Sequence, residues 1–245
     1  MAKVKVLVEG YLSDDNDKKT CSTVSLVLDK DIVMVVDPGY LENQKILVDA
    51  LKKEGFDIND VNIVCITHSH IDHYRNIGMF PNAKTLEYFG LWDKEGRVAD
   101  WQEHFSSDIQ VLKTPGHDYT CITLFVQTDD GVVAICGDVF WKEDGPDFDI
   151  YASDIKKLEN SRKLVLKLSN WIIPGHAGIY KTKNTKLITK EKVKSEVKLE
   201  VVERCKKCRK PFTKSADRCF CQRWLCYHCC ECELDCNACN CKHKR

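Results

Sequence analysis

The chain has 245 residues and carries 37 Lys and Arg against 37 Asp and Glu, so its formal net charge at pH 7 is zero. This length provides for one sizeable domain and a smaller one. No apolar run approaches the ~20 residues of a membrane span, and the N-terminal alternation is typical of a strand, not of a signal peptide. We therefore expect a protein of the cytoplasm or the nucleus, without a membrane partner.

Short strands and two amphipathic helices are predicted in the first 180 residues. The early strands cover residues 4–8, 24–28 and 32–36. A helix follows over residues 41–54, where the apolar positions have helical spacing and Gly55 is a typical stop. A second helix is predicted over residues 153–168, with Ser153 as its N-cap.

Histidine and aspartate residues follow four further apolar runs that are predicted to be buried strands. These strands cover residues 63–66, 109–112, 132–135 and 171–173. The residues that follow them are His68, His70, Asp72, His73, His117, Asp138 and His176. Side chains placed just after strands meet at one edge of a sheet. Five imidazoles and two carboxylates suit a pair of zinc ions, with iron or manganese as alternatives, so the sequence predicts a dinuclear metal site.

The motif His-x-His-x-Asp-His, followed by His117, Asp138 and His176, resembles the metallo-β-lactamase superfamily. The resemblance extends over residues 4–180 and includes the segment Val36–Gly39. The motifs around His117, Asp138 and His176, together with the pair Ser161-Arg162, are similar to the metallo-β-lactamase domain-containing branch. This resemblance implies an α/β fold, a four-layer αββα sandwich with the metals at one edge of its two sheets.

The resemblance also implies a role for each ligand. His68, His70 and His117 would bind one metal, Asp72, His73 and His176 would bind the other, and Asp138 would bridge both. The chain departs from the family pattern at Arg75, where glycine is common. That position is close to the metals, so the arginine could face an anionic group of the substrate.

A pair of metal ions can generate a bridging hydroxide nucleophile at neutral pH. Asp72 is the candidate catalytic residue, because a positioned carboxylate can orient that hydroxide and accept its proton. We expect an enzyme, a metal-dependent hydrolase. Its domains are predicted as a catalytic domain over residues 1–180, a basic linker over 181–203 and a cysteine-rich zinc-binding domain over 204–245.

The predicted linker is rich in lysine, and its apolar residues leave its structure open. Val193, Val197 and Val201 suit a helix, whereas Val197, Leu199 and Val201 suit a strand. Such a lysine run is usually a solvated surface.

Eleven of the fifteen cysteines lie in residues 204–245, a segment too poor in aliphatic residues to bury a core, so metal must supply its folding energy. The spacing of Cys205, Cys208, Cys226 and Cys229 is that of a tetrahedral structural zinc site and is similar to treble-clef fingers. Candidates for a second zinc ion are Cys219, Cys221, Cys232, Cys236, Cys239, Cys241 and His243. We expect about two structural zinc ions here.

Residues 181–245 contain 18 Lys and Arg against 8 Asp and Glu, a net charge of +10, which leaves −10 on the first 180 residues. A basic module on an acidic enzyme indicates RNA or a protein as its partner. The first hypothesis for function is hydrolysis of a phosphodiester, as by an RNA endonuclease, which the family branch implies. The alternatives are hydrolysis of a small thioester, ester or lactone as in glyoxalase-II-type enzymes, and iron-dependent oxidation of a sulfur compound.

Overall fold

The computed structural model describes residues 1–13 and 19–200. Chain contacts divide the protein into two compact units, Met1–Val193 and Lys194–Arg245. The predicted cysteine-rich domain over 204–245, with its candidate ligands from Cys205 to Cys241, lies outside the described residues, and so does Val201. Among the residues that are described, no helix is long and apolar enough to cross a membrane.

The described residues form fourteen strands and four α-helices. The strands are β1 (Lys3–Val8), β2 (Tyr11–Leu12), β3 (Thr20–Cys21), β4 (Val24–Asp29), β5 (Ile32–Val36), β6 (Ile63–Cys65), β7 (Lys84–Glu87), β8 (Gly90–Trp92), β9 (Val98–Ala99), β10 (Ile109–Lys113), β11 (Ile122–Thr128), β12 (Gly131–Ile135), β13 (Trp171–Ile173) and β14 (Tyr180–Lys181). The helices are α1 (Lys45–Lys53), α2 (Ile71–Tyr74), α3 (Ile155–Leu168) and α4 (Lys190–Glu200). Two 3₁₀ turns cover Ile77–Met79 and Gly137–Val139.

Two mixed sheets contain most of these strands. The first has the order β1-β4-β5-β6-β7-β8-β9, and the second has the order β10-β11-β12-β13-β14. Strands β5, β6 and β7 are parallel neighbours, as are β12 and β13. Parallel strands end at the same edge of a sheet, so the loops that follow β6, β12 and β13 are brought to common edges.

A large apolar core lies between the two sheets. The first sheet contributes side chains such as Val27, Met34 and Leu86, and the second contributes Leu124 and Ile135. Their burial follows from the period-two alternation of strands, which places every second side chain on the inner face. This core fixes the two sheets face to face.

One helix packs on the outer face of each sheet. Helix α1 buries Leu47 and Leu51 against Val35 and Val64 of the first sheet. Helix α3 contacts β12 and buries Leu158, Val165 and Leu168. Since Val133 and Ile135 of β12 face the core between the sheets, α3 occupies the opposite face. The α/β class predicted from the sequence is confirmed.

Some element boundaries differ from those predicted. Helix α1 begins at Lys45 and not at residue 41, although it ends as expected before Gly55, whose φ is +88°. Ser153 was expected as the N-cap of α3, and that prediction is wrong. The N-cap is Asp154, whose carboxylate accepts a hydrogen bond from the backbone N–H of Lys157.

Part of the predicted basic linker folds with the first unit. Strand β14 pairs with β13, and Ile188 and Val193 are buried. Lys190 donates a hydrogen bond to Asp108. Of the helix and strand alternatives for the valines of this stretch, the structure has the helix, α4, through Glu200. The predicted domain boundaries stay a prediction.

Candidate metal centre

The seven predicted ligands come together at one edge of the sandwich. The loop after β6 carries His68 and His70, and α2 carries Asp72 and His73. His117, Asp138 and His176 come after β10, β12 and β13. They fall into two groups, and within each group the ligand atoms lie within 4.8 Å of one another. The groups are His68, His70, His117 and Asp138, and Asp72, His73 and His176.

Asp138 lies between the two groups. Its Oδ2 is 3.3 Å from Nε2 of His117 and 4.0 Å from Nε2 of His68. Its Oδ1 is 3.3 Å from Nε2 of His73 and 3.2 Å from Nε2 of His176. Oδ2 also lies 3.3 Å from Nε2 of His176, so the carboxylate contacts histidines of both groups, as a bridging ligand requires.

Several buried atoms at the centre of this cluster fit a bound metal. The Nε2 atoms of His68 and His73 and the Oδ1 of Asp138 are buried and have no hydrogen-bond partner. A buried polar atom without a partner costs free energy, so such atoms need an explanation. All three are good donors to divalent metals, and all three point towards the other predicted ligands. The donor set therefore suits a pair of divalent metals.

Two buried aspartates hold histidines of the cluster from behind. The Nδ1 of His73 donates to Oδ2 of Asp37 at 2.8 Å, and the Nδ1 of His117 donates to Oδ2 of Asp149 at 2.6 Å. Thr67 also donates to Asp37, from its backbone N–H and from its hydroxyl. Such carboxylates fix the tautomer so that the Nε2 is left as the metal donor, and they raise its basicity.

The second group is also fixed by strand β3. The Nδ1 of His176 donates to the backbone oxygen of Cys21 at 3.0 Å. The hydroxyl of Thr20 donates to Oδ2 of Asp72 at 2.9 Å, and that oxygen is 3.6 Å from Nε2 of His176. Thr20, which is 52 residues from Asp72 in the sequence, therefore holds Asp72 in its place within the second group.

The electrostatic environment differs between the two groups. Burial lowers the pKa of His68 well below its ordinary value and also lowers that of His70. Burial opposes the charge on His73, but the carboxylates of Asp138 and Asp37 outweigh it and raise the pKa of His73 well above its ordinary value. Against burial, His73 and His176 hold the pKa of the Asp138 carboxyl well below its usual range. Asp138 is thus a carboxylate.

Sequence reasoning predicted the seven candidate ligands that the structure brings together but missed the two aspartates behind them. Asp37 was noticed only as part of a family segment, and no motif or spacing points to Asp149. The positive φ of Asp37, +49°, is a strained conformation that only the folded structure reveals. His104, which belongs to no motif, is exposed and pairs with Gln110 in an isolated bridge, away from either group.

Comparison with known proteins agrees with this geometry. A model of the metallo-beta-lactamase superfamily matches residues 20–104. Metallo-beta-lactamase domain-containing protein 1 of Xenopus laevis is 32% identical over 183 residues, which cover 71% of this chain and 78% of that protein. The chain belongs to the metallo-β-lactamase superfamily. With its clustered metal-binding residues, this member is a metallohydrolase.

Solved structures share the fold of this metallohydrolase at low identity. AidC, a dizinc quorum-quenching lactonase, matches with a TM-score of 0.53 and 15% identity over 68% of this chain and 77% of that one. TTHA1623, solved in a di-iron-bound form, matches with a TM-score of 0.52 and 18% identity over 65% of this chain and 89% of that one. The expected α/β metallo-β-lactamase fold is confirmed.

Proposed function

We propose that this metallohydrolase cleaves a phosphodiester bond in RNA. The observation that carries the proposal is an aromatic pair beside the metal ligand His117. The Trp141 ring stands edge-on to His117 with a centroid distance of 6.1 Å, and the Tyr151 ring lies 5.8 Å from Trp141. Tyr151 is 65% exposed. Bases of single-stranded nucleic acid stack on exposed aromatic rings, at about 1–3 kcal/mol per base.

The aromatic pair is fixed relative to the metal ligands. Asp149, which bonds His117, also accepts a hydrogen bond from the backbone N–H of Tyr151 at 2.9 Å. The backbone N–H of Ser153 donates to the oxygen of His117 at 2.9 Å. A base stacked on Tyr151 would therefore be held at a constant distance from the metal centre, which is how a positioned substrate gains reactivity.

An exposed cation at the end of α2 supports an anionic substrate. Arg75 follows directly after α2, which carries Asp72 and His73. It is exposed, its guanidinium lies 5.9 Å from the Tyr40 ring centroid, and both residues line a cavity of about 370 Å³. Among the residues that the structure describes, Arg75 forms no ion pair with a carboxylate. We assign it to a phosphate that flanks the scissile bond.

The metal centre and Asp72 have separate tasks in the proposed reaction. When bound, two divalent ions supply a water-derived nucleophile and a Lewis acid at neutral pH. The hydrogen bond from Thr20 holds Oδ2 of Asp72 in place. We assign to Asp72 the proton that the attacking water releases, because its carboxylate belongs to the second group and is not fully buried.

The basic tail is proposed to bring RNA to the enzyme or to bind a protein partner. Its charge of +10 over residues 181–245 is the support for this proposal.

We also propose that the tail binds about two structural zinc ions and the catalytic site two zinc ions, with iron or manganese as alternatives. Metal analysis of the intact chain tests this: about four ions are expected. Replacing Cys205 and Cys208 together should lower the number and leave the catalytic pair.

A second candidate function is favoured by exposed apolar residues next to the same aromatic pair. Phe148 and Ile150, on either side of Asp149, are 70% and 68% exposed. An apolar rim of this kind would suit the acyl chain of a lactone, ester or thioester as well as a base. The two functions differ in what the charged groups add, since Arg75 has a task only with an anionic substrate.

A substrate panel separates the candidates. We expect the full chain to cleave structured RNA, and Tyr151→Ala and Arg75→Ala each to raise the KM for RNA by about tenfold. Val98→Ala is the matched control, because Val98 is 51% exposed on strand β9, follows no metal-ligand loop and lies outside residues 181–245. Rapid hydrolysis of lactones or thioesters without RNA cleavage would instead establish the small-molecule function.

Deletion of residues 204–245, the predicted cysteine-rich part of the basic tail, tests the contribution of the tail. Phosphate contacts release counterions, so log K for RNA falls with log salt by about 0.7 per contact on single strands. We expect the deletion to flatten that slope, to raise the KM for RNA and to leave turnover of a small phosphodiester nearly unchanged. Unchanged RNA affinity would identify the tail as a protein-binding module.

A further inference from the structure

Two consecutive residues of helix α3 each contact a different metal-ligand loop. The Ser161 hydroxyl donates to the backbone oxygen of Pro115 at 2.7 Å. The Nε of Arg162 donates to the backbone oxygen of Val139 at 2.9 Å. Pro115 is two residues before His117, and Val139 is next to Asp138. A single turn of α3 thus joins the loops that follow β10 and β12.

The contact from Ser161 is part of a wider attachment of the His117 loop to α3. Ser161 is 6% exposed, so its hydrogen bond is shielded from water. At the start of the helix, the backbone N–H of Asp154 donates to the oxygen of Gly116 at 2.9 Å. A Cβ atom at Gly116 would overlap the backbone of Leu158, so only glycine allows this close approach. The His117 loop therefore lies directly on the helix.

The contact from Arg162 reaches the turn that carries Asp138. The guanidinium also lies 5.5 Å from the centroid of the Phe140 ring. The backbone oxygen of Phe140 accepts a hydrogen bond at 2.8 Å from the N–H of Gly175, the residue before His176. Within the described residues, Arg162 forms no ion pair, and its Nη2 is buried without a partner. Packing of this arginine against the turn is thus its evident role.

We propose that Ser161 and Arg162 are positioning residues that set the two metal groups differently. Ser161 fixes His117, which belongs to the first group alone, so it controls the first metal. Arg162 fixes Asp138, whose two oxygens face both groups, so it controls both metals. The inference rests on the two-metal site of the proposed function but not on any particular substrate.

Stepwise metal affinity tests this division. Metal-free protein is titrated with Zn²⁺ against a competing chelator, and His70→Ala identifies the step that belongs to the first group. We expect Ser161→Ala to raise the Kd of that step about tenfold and to leave the other unchanged, and Arg162→Met to raise both by about 10–100-fold. Lys163→Met, an exposed neighbour on α3, is the control and should change neither.

Arg162→Lys keeps a donor and should recover part of the affinity, which guards against a variant that fails to fold. A purely structural role would lower the Tm of Ser161→Ala and Arg162→Met while both Kd values stayed at those of the wild type, and that result would overturn the inference. So would an effect of Ser161→Ala on both steps. Failure of RNA cleavage with these affinity changes intact would reject the proposed substrate and leave the positioning roles standing.

Discussion

The two metal groups have similar donors but are anchored in different ways. In the first group His117 is held by Asp149 and by its loop's contacts with α3, and burial lowers the pKa values of His68 and His70. In the second group, nearby carboxylates have the larger influence on the histidine pKa. Asp37 and Asp138 raise the pKa of His73 against burial. The first group therefore combines three imidazoles with Asp138, whereas the second includes an additional carboxylate, Asp72.

This difference shows that one edge of the sandwich can hold two sites with largely separate supports, which are linked through Thr67: its hydroxyl donates to Asp37 and lies 3.2 Å from Nδ1 of His68. Asp37 comes after β5, and Thr20 and Cys21 lie in β3. The second group therefore depends on the first sheet and on the short antiparallel pair β2–β3. In the first group, His117 depends on the second sheet and α3, whereas His68 and His70 lie on the loop after β6 of the first sheet. Asp138 is the residue that the groups share, and substitutions should separate the effects accordingly.

The largest effect is expected from substitution of Asp138, because this residue is shared by the two metal groups and its loss should affect both. Asp138→Asn leaves a neutral amide between two cations, so both metals should be lost or weakened and kcat should fall more than about a hundredfold on any substrate. Metal analysis and kcat measure this outcome. His104→Ala, outside every motif, should change little. An active Asp138→Asn variant with an inactive His104→Ala variant would refute the ligand assignment.

A smaller effect, confined to one group, is expected from each buried aspartate behind the cluster. Asp149→Asn should weaken the first metal and Asp37→Asn mainly the second, by about 10–100-fold each, because each carboxylate bonds one ligand histidine directly. Titration of metal-free protein with Zn²⁺ measures both steps. Asp37→Asn should also lower the Tm more, since Asp37 accepts two further hydrogen bonds from Thr67. Equal loss of both metals in either variant would show that the groups are not independently supported.

The sequence was sufficient to predict that the seven candidate ligands come together, because their chemistry and position repeat along the chain. His68, His117, Asp138 and His176 each follow an apolar strand, and strand ends meet at an edge whatever the exact register. The helices were predicted in kind but not in their first residues, since Ser153 and Asp154 are both good N-caps by composition. Only the folded backbone shows that Ser153 bonds Gly116 and leaves the cap to Asp154.

The supporting residues could not be predicted because their partners are distant in sequence. Asp37 is 36 residues from His73, and Asp149 is 32 residues from His117, with no repeated spacing between the pairs. Arg162 likewise meets Val139 only through the packing of α3 on the second sheet. Residue type indicates a metal ligand, but a hydrogen bond to a ligand depends on tertiary distance alone.

The smallest effect on the metals is expected from an ion pair at the opposite end of β10. Lys190 Nζ lies 2.7 Å from Oδ1 of Asp108, just before β10, whereas His117 comes after that strand. Asp108→Asn should lower the Tm and leave both metal Kd values unchanged. The hydrogen bond from Lys190 lowers the pKa of Asp108 from 3.8, and the one to Asp108 raises that of Lys190 from 10.5.

The pH dependence of this Tm difference follows from those two directions. A lowered carboxyl pKa stabilises the fold above the unfolded value of 3.8, and the gain is lost as the pH falls through the folded value. A raised lysine pKa stabilises the fold below 10.5, and the gain is lost as the pH rises through the folded value. The Tm difference between wild type and Asp108→Asn should therefore be constant between about pH 5 and 9 and shrink below about pH 4. Thermal unfolding across this range measures it, and a difference that grew in acid, or a shift in either metal Kd, would contradict the separation between this end of the sheet and the metal centre.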